Sequence, residues 1–412
     1  MISFARALST IRKNTHRLPI IRRALNESSG YFLAETITAR FDVPRFDNSS
    51  VDGYGVRTHD LLGASRKCPV MLRLVGEVRA GETSALRLRP GDAIRLFTGA
   101  RIPSGVETVV IREDVGEGKA ITFTNSVTKG ENVRPRGMEF EKGEALLLPH
   151  SLITPAVVGL IASTGRTHCR VYRKPTVRII LTGDEIVPAG TPLRPSDIYD
   201  SVGPSLSAMC TEFGITDCAI LRSHDGLPDL KRKIQRALKQ ADVLITVGGI
   251  SVGDYDLVRA ALESSNVHEQ YWRVAIKPGK PNYFGLYNKK THGSTLVFGL
   301  PGNPVSALVS FHLLVKVALL KMIGSMNETP IRFTARLTSP IRRDADRFQF
   351  IRGKASVGAR AEWQVSVVRG QESHMLGGLA KANCLIHIPS GAGTISAGGQ
   401  VLIEMLSSGG VI

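Results

Sequence analysis

Residues 242–256 read Asp-Val-Leu-Ile-Thr-Val-Gly-Gly-Ile-Ser-Val-Gly-Asp-Tyr-Asp, and no other stretch restricts the possible folds as strongly. Residues 243–247 form a short apolar run rich in β-branched side chains, the pattern of a parallel strand buried on both faces. Gly248, Gly249 and Gly253, with Ser251, then make a turn with too little side chain to pack. Asp256 opens Asp-Leu-Val-Arg-Ala-Ala-Leu, where it can cap a helix. Strand, glycine loop and helix start, in that order, surround an anion such as phosphate with backbone N–H groups and a positive helix end. Acidic residues beside such a loop suit a divalent cation that accompanies the phosphate. The alternative is a tight turn whose aspartate only caps the helix.

The surroundings extend this pattern. From residue 174 to 326 strands and helices alternate: strand 176–181, helix 204–213 closed by Gly214, strand 217–221, basic helix 230–240, strand 243–247, strand 295–298, and a long helix from Val305. Such alternation predicts a doubly wound parallel sheet, whose ligands bind outside the carboxyl ends of the strands. Residues 54–136 break into short β-type runs split by glycine and proline (71–75, 93–97, 108–112), which predicts a β-rich domain. Residues 327–412 return to such runs and predict a small closed or sandwich-like β domain. Residues 1–53 and 137–173, with a helix over 155–165, make one discontinuous helical and mixed domain. The expected class is therefore multidomain α/β plus β.

Composition narrows the function. The 412 residues carry 53 Lys and Arg against 36 Asp and Glu, a net charge of +17, which favours anionic partners. No zinc-finger spacing, RNP-type aromatic strand or basic low-complexity tail is present, so specific nucleic-acid recognition is not expected. Five scattered cysteines (Cys68, Cys169, Cys210, Cys218, Cys384) without a CxxC pair fit free thiols in a reducing, cytoplasmic setting. The longest apolar candidate, 305–323, is interrupted by Ser306, Ser310, His312, Lys316 and Lys321, and reads as a buried amphipathic helix with no membrane span. Arg6, Arg12, Lys13, Arg17, Arg22 and Arg23 precede the first acid, Glu27. That resembles an organelle transit peptide, but the spacing of Phe4, Leu8 and Ile11 predicts a helix packed on the body.

Three further loops follow strands. Leu181-Thr-Gly-Asp-Glu-Ile places Asp184 and Glu185 at a carboxyl end. Ala275-Ile-Lys-Pro-Gly-Lys-Pro aims Lys277 and Lys280 from a proline-stiffened turn. Gly299-Leu-Pro-Gly-Asn-Pro-Val-Ser, with Pro301, Asn303 and Ser306, leads into the long helix with Pro304 near its first position.

Together with Phe46-Asp-Asn-Ser-Ser-Val-Asp-Gly-Tyr, Phe97-Thr-Gly-Ala, Asn132-Val-Arg-Pro-Arg-Gly and Gln371-Glu-Ser-His-Met-Leu, these motifs run in order along the whole chain. In them the chain resembles the molybdopterin molybdenumtransferase (MoeA-like) family, related to the gephyrin E domain. The resemblance implies a homodimer of four-domain subunits. It implies insertion of molybdate into adenylylated molybdopterin, releasing AMP and molybdenum cofactor with the help of Mg2+. It also implies transient contact with a molybdopterin adenylyltransferase and with apo-molybdoenzymes. Glu185, Asp225 and Asp256 match acids of the family's sheet-domain site, with Asp256 and Glu185 expected at the metal or phosphate. Asp52 and Thr98 match residues that reach the cleft from the other protomer. Lys277 and Lys280 are expected as oxyanion and phosphate clamps, Ser306 and Ser373 as hydrogen-bond donors, and Arg352 as a further cation. Arg273 stands where a lysine is common, and Gly137-Met-Glu139 departs from the family's Gly-Glu-Asp. Adenylyl transfer, or a non-catalytic scaffold of this architecture, are the alternatives.

Overall fold

The computed structural model describes residues 1–249, 257–289, 293–327, 330–358 and 361–406. Ser251, Gly253 and Asp256 thus lie outside the described residues. The chain forms two compact units, one of Met1–Glu35, Pro149–Val158 and Thr167–Ile412, the other of Thr36–Leu148 and Gly159–Arg166. This division is coarser than the four expected segments and cuts the first of them after Glu35.

The first unit is built on a six-stranded sheet in the order Cys218–Ser223, Val177–Thr182, Val243–Val247, Ser294–Leu300, Tyr283–Asn288, His268–Trp272. The first four strands are parallel, in registers such as Ile179 with Ile245 and Ile245 with Phe298. Alternation sorts their side chains into two layers. Ile179, Leu181, Ile245, Val247 and Phe298 face one core, shared with Leu206 and Cys210 of the Val202–Glu212 helix. Ile180, Leu244 and Val297 face the other, with Leu230 and Ile234 of the Leu227–Gln240 helix and Val258 and Leu262 of Leu257–Glu263. A two-faced apolar strand needs helices on both sides, and the sheet is doubly wound for that reason. The two remaining strands were not expected. Tyr283–Asn288 runs antiparallel to Ser294–Leu300 and pairs with His268–Trp272, whose leading His268-Glu-Gln is too polar to signal a buried strand. The sheet is mixed at that edge.

The segment Pro304–Met322 is the buried core element expected, but it differs in two respects. At 19 residues it is long and apolar enough to cross a membrane. It is also buried almost all round, not amphipathic, because the sheet, the Phe4–Asn14 helix and the C-terminal strands enclose it. Its polar groups are individually matched. Ser310 Oγ meets Asn282 Nδ2 at 3.0 Å, Lys316 lies over the Phe213 ring, and Lys321 Nζ donates to Arg12 O at 2.6 Å. A π-turn at Phe311–Val315 carries His312, a common cause of such a turn being a residue with a specific task. The N-terminal helix is buried through Ala7 and Ile11, and Ile20–Ala24 pairs antiparallel with His168–Tyr172.

The C-terminal strands close on themselves: Phe348–Val357, Trp363–Val367, Arg332–Leu337, Gln400–Met405 and Cys384–Ile388, with the last pairing back to the first. A short strand, Ile276–Lys277, leaves the large sheet domain and pairs with Phe348 and Gln349 of this barrel. The second unit holds a six-stranded sheet containing Gly53–Val56, Val70–Val78 and Asp92–Leu96, with apolar clusters around Tyr54 and Phe123 and around Ile94 and Val109.

Glu404, fully buried on the barrel strand Gln400–Met405, ties barrel to helix. Its Oε1 lies 2.7 Å from His312 Nε2 and its Oε2 3.2 Å from Arg332 Nε. His387 Nε2 stands 3.1 Å from Oε2, out of the alignment of a full hydrogen bond. Burial pushes the Glu404 carboxyl up, but the His312 hydrogen bond and the neighbouring imidazoles outweigh it and hold the carboxyl well below the usual range. A carboxyl depressed in the folded state stabilises fully above its unfolded value of about 4.3, and loses that contribution as pH falls towards the folded value. Glu404→Gln should therefore cost about 3 kcal/mol at neutral pH. It should also remove part of the stability loss seen between about pH 5 and pH 2. Urea midpoints of both proteins across that range measure this; parallel pH profiles would show that Glu404 is not the source.

Candidate functional site

All four parallel strands end on one cavity of about 1030 Å³. Thr182 and Gly183 enter it from the first strand in sequence, His224 and Asp225 from the second, Gly248 and Gly249 from the third, and Pro301–Pro304 from the fourth. Ligand sites of doubly wound sheets occupy this end because the loops there are free to vary while the strands hold their ends fixed.

Glycine is required at its centre. Gly248 and Gly249 have φ of +84° and +62°. A Cβ on Gly248 would stand 2.9 Å from Thr182 Oγ1, and one on Gly249 2.6 Å from Val258 Cγ2. Thr182 Oγ1 donates to Val247 O at 3.1 Å, and Gly248 N donates to Leu300 O at 3.1 Å. One side-chain and one backbone hydrogen bond thereby lace three loops together, with Gly302 opposite Gly248. The result is a side-chain-free floor that a phosphate can approach closely. Pro304, the first residue of the helical segment, lies on the same cavity, so a positive helix end faces it.

Glu185, Asp225 and Asp200 are the carboxylates on this wall, and Asp200 is already held by Gly203 N and Arg222. Glu185 folds back beside Gly183, where a Cβ would meet its Oε2 at 2.7 Å. Asp225 Oδ2 accepts from Asp184 N at 3.4 Å, and Asp184 Oδ1 lies 2.7 Å from His224 Nδ1. No three His, Cys, Asp or Glu side chains converge as a metal cluster among the described residues. Mg2+ does not need one: it keeps several waters and takes one or two carboxylates plus substrate phosphates. Two oxygen donors beside a phosphate floor fit that habit, so Glu185 and Asp225 are the described residues that could hold it.

The sequence reading missed part of the wall. Tyr199 and Ile198 line the cavity from a short strand paired with Ile186–Val187. Asp200, buried, caps Gly203 N at 2.8 Å and accepts from Arg222 Nη2 at 2.9 Å. The Asp-Ser-Val-Gly-Pro run ahead of a helix is a capping signal that could have found it. His224 adjoins the expected Asp225, and His374 follows the expected Ser373.

The other expected residues divide between the cavity wall and places apart from it. Asn303 lines it and donates to Ser373 Oγ at 3.0 Å, while Val305 N donates to Ser373 O. Ser306 is buried beneath. Lys277 Nζ lies 3.7 Å from Asp344 Oδ2, and the carbonyl of Lys280 accepts from Val274 N. Neither lysine is on the wall, although Pro281 is. Arg273, at φ +140°, stacks 4.1 Å from the Trp272 ring. Asp52 and Thr98 belong to the second unit, where Asp52 Oδ1 accepts from Thr98 N at 2.7 Å and Thr98 Oγ1 at 2.8 Å. Those two bonds hold the Asp52 carboxyl below its usual range. Arg352, expected as a further cation at the site, is buried against its own chain. It is 1% exposed, and its Nη2 donates to Gly370 O at 2.8 Å and Glu372 O at 3.3 Å. It shapes the turn that carries Ser373 and His374.

Comparison with known proteins covers almost the whole chain. Family models match residues 2–165 (MoeA N-terminal region, domain I and II), 178–321 (probable molybdopterin binding domain) and 334–406 (MoeA C-terminal region, domain IV). The chain is 34% identical over 385 residues to the molybdopterin molybdenumtransferase of Haemophilus influenzae, covering 92% of each. It is 32% identical over 408 residues to that of Staphylococcus epidermidis, covering 99% of this chain and 96% of the other. The crystal structure of a Pyrococcus horikoshii molybdopterin biosynthesis MoeA protein superposes with a TM-score of 0.82 at 27% identity, over 98% of this chain and 100% of that one.

Removing the Arg352 guanidinium takes away the partner of two part-buried carbonyls, Gly370 O and Glu372 O, a loss of roughly 1 kcal/mol apiece. Arg352→Leu should lower the melting temperature and speed amide exchange over residues 369–375 before the central sheet. Unchanged exchange in that turn would refute its positioning role.

Proposed function

The chain belongs to the MoeA family, the molybdopterin molybdenumtransferases of molybdenum cofactor biosynthesis, and we propose that its reaction joins molybdate to adenylylated molybdopterin, giving molybdenum cofactor and AMP. It is a transferase of that biosynthesis, with molybdopterin as its substrate. The observation that carries the finer reading is the glycine floor of Gly248, Gly249 and Gly302 beside Glu185 and Asp225. A pyrophosphate-linked pterin nucleotide needs close backbone approach for its phosphates, and the positive helix end at Pro304 favours their charge. Glu185 and Asp225, with Asp256 outside the described residues, would hold Mg2+ directly or through water. When bound, Mg2+ supplies neutralisation of the charge that develops as the phosphoanhydride breaks. Thr182 and Asn303 fix the loops that orient the nucleotide.

Lys277 and Lys280 remain our candidates for the molybdate dianion, as compact cations on a short loop. Our reading also includes a cytoplasmic homodimer in which a second copy supplies Asp52 and Thr98. An adenylyltransferase would deliver the substrate, and apo-molybdoenzymes would take the product.

Purified full-length protein supplied with adenylylated molybdopterin, Mg2+ and molybdate should release AMP only when molybdate is present, and should activate a cofactor-free molybdoenzyme. Glu185→Gln and Asp225→Asn should each slow that release roughly a hundredfold while melting normally. Binding of the nucleotide with no turnover would overturn the insertion reading in favour of a scaffold, and AMP release that ignores molybdate would overturn it in favour of simple hydrolysis. Light scattering of the purified chain tests the homodimer.

A further inference from the structure

At the opposite end of the sheet from the cavity, two thiols that the reaction does not use lie together. Cys218 is the first residue of the edge strand Cys218–Ser223, and Cys210 lies in the last turn of the Val202–Glu212 helix. Both pack in one cluster, in which Cys210 is fully buried and Cys218 half-buried at its edge. The chain between them is fixed by hydrogen bonds. Gly214, at φ +66°, ends the helix, its N–H donates to Thr211 O at 2.8 Å, and Ile215 N returns to Cys210 O at 3.1 Å. This reversal folds the strand start back against the helix end and sets the two thiols side by side within one packed cluster.

The surroundings distinguish the two sulfurs. Cys218 accepts from Ser207, one helical turn before Cys210, and has the Arg178 guanidinium nearby. Arg178 is held by Asp217 Oδ1 at 2.7 Å, and the Asp217 charge opposes ionisation of Cys218. The neighbouring Cys210 and Ser207 outweigh both burial and Asp217 and lower the Cys218 thiol from its usual value, while Cys218 and burial raise Cys210. A partly exposed sulfur with a second, buried thiol against it is the arrangement in which an oxidised sulfur is captured by its neighbour.

We propose that Cys218 and Cys210 form a peroxide-sensitive dithiol in which Cys218 is oxidised and Cys210 resolves it. The Cys218 thiolate attacks one oxygen of a hydroperoxide, forming S–O as the O–O bond breaks; with hydrogen peroxide the departing hydroxide takes a proton and leaves as water. The Cys210 sulfur then attacks Cys218 sulfur: S–S forms, S–O breaks, and the hydroxide leaves with the Cys210 proton as a second water. Two thiols and one peroxide give one disulfide and two waters. A dithiol reductant reverses the step by exchange.

Trypsin, which does not cut Arg194-Pro195, leaves both cysteines in the single peptide 179–222, and no other cysteine falls there. Full-length protein is reduced, freed of reductant, treated with hydrogen peroxide, denatured, alkylated and digested. Peptide 179–222 should lose both alkylation sites and two hydrogens, and dithiothreitol applied before alkylation should restore them. In Cys210→Ser, dimedone should trap a sulfenic acid at Cys218. The proposal fails if both thiols remain alkylatable at a peroxide dose that oxidises exposed Cys68. It fails equally if Cys218 advances to sulfinic acid while Cys210 stays free. The wild-type measurement decides the matter even where a variant folds poorly.

Discussion

The site depends on how closely three backbones can approach at the carboxyl edge of the sheet. Gly248 sits where any side chain would strike Thr182, and its N–H is bound by Leu300 O. The parallel register sets this up: Leu181 is level with Val247, and Val247 with Leu300, so three strands end at one height. A slip of one residue would turn each strand's core face towards the wrong helices and carry Gly248 out from under Thr182. Core packing and the cavity floor are therefore two results of one register.

The same coupling appears in the buried segment Pro304–Met322. Its first residue forms part of the cavity and its middle carries His312 to Glu404 of the barrel. Ser310, His312 and Lys316 would each be costly in an apolar interior, and each has a specific partner. These partners come from different parts of the chain, so the segment fits only when sheet, barrel and N-terminal helix are all in place.

How much of this was legible follows from what each signal requires. The buried strands announced themselves because a strand covered on both faces is apolar throughout, as at 243–247. The glycine loops were legible because a tight backbone has few residue choices. The edge strand His268–Trp272 was not, since a strand with a polar half has no such signature. Arg352 was misread for a related reason. A sequence shows a cation on a strand, but whether its guanidinium meets a ligand or two carbonyls of its own chain depends on the turn at 370–372, more than a dozen residues away. Asp200 and Tyr199 were missed because their short strand has too few residues to show alternation.

The two-residue strand Ile276–Lys277 is small, yet it makes the lysine loop part of two structures at once. One end of the loop continues into the mixed edge of the large sheet; the other is stitched to Phe348 and Gln349 of the barrel. A cation mounted this way is a passenger of both. Any tilt of the barrel about its attachment moves the charge of Lys277 with it, so the electrostatic potential near the sheet edge is geared to the barrel's orientation. A flexible lysine on an open loop would average such a motion away.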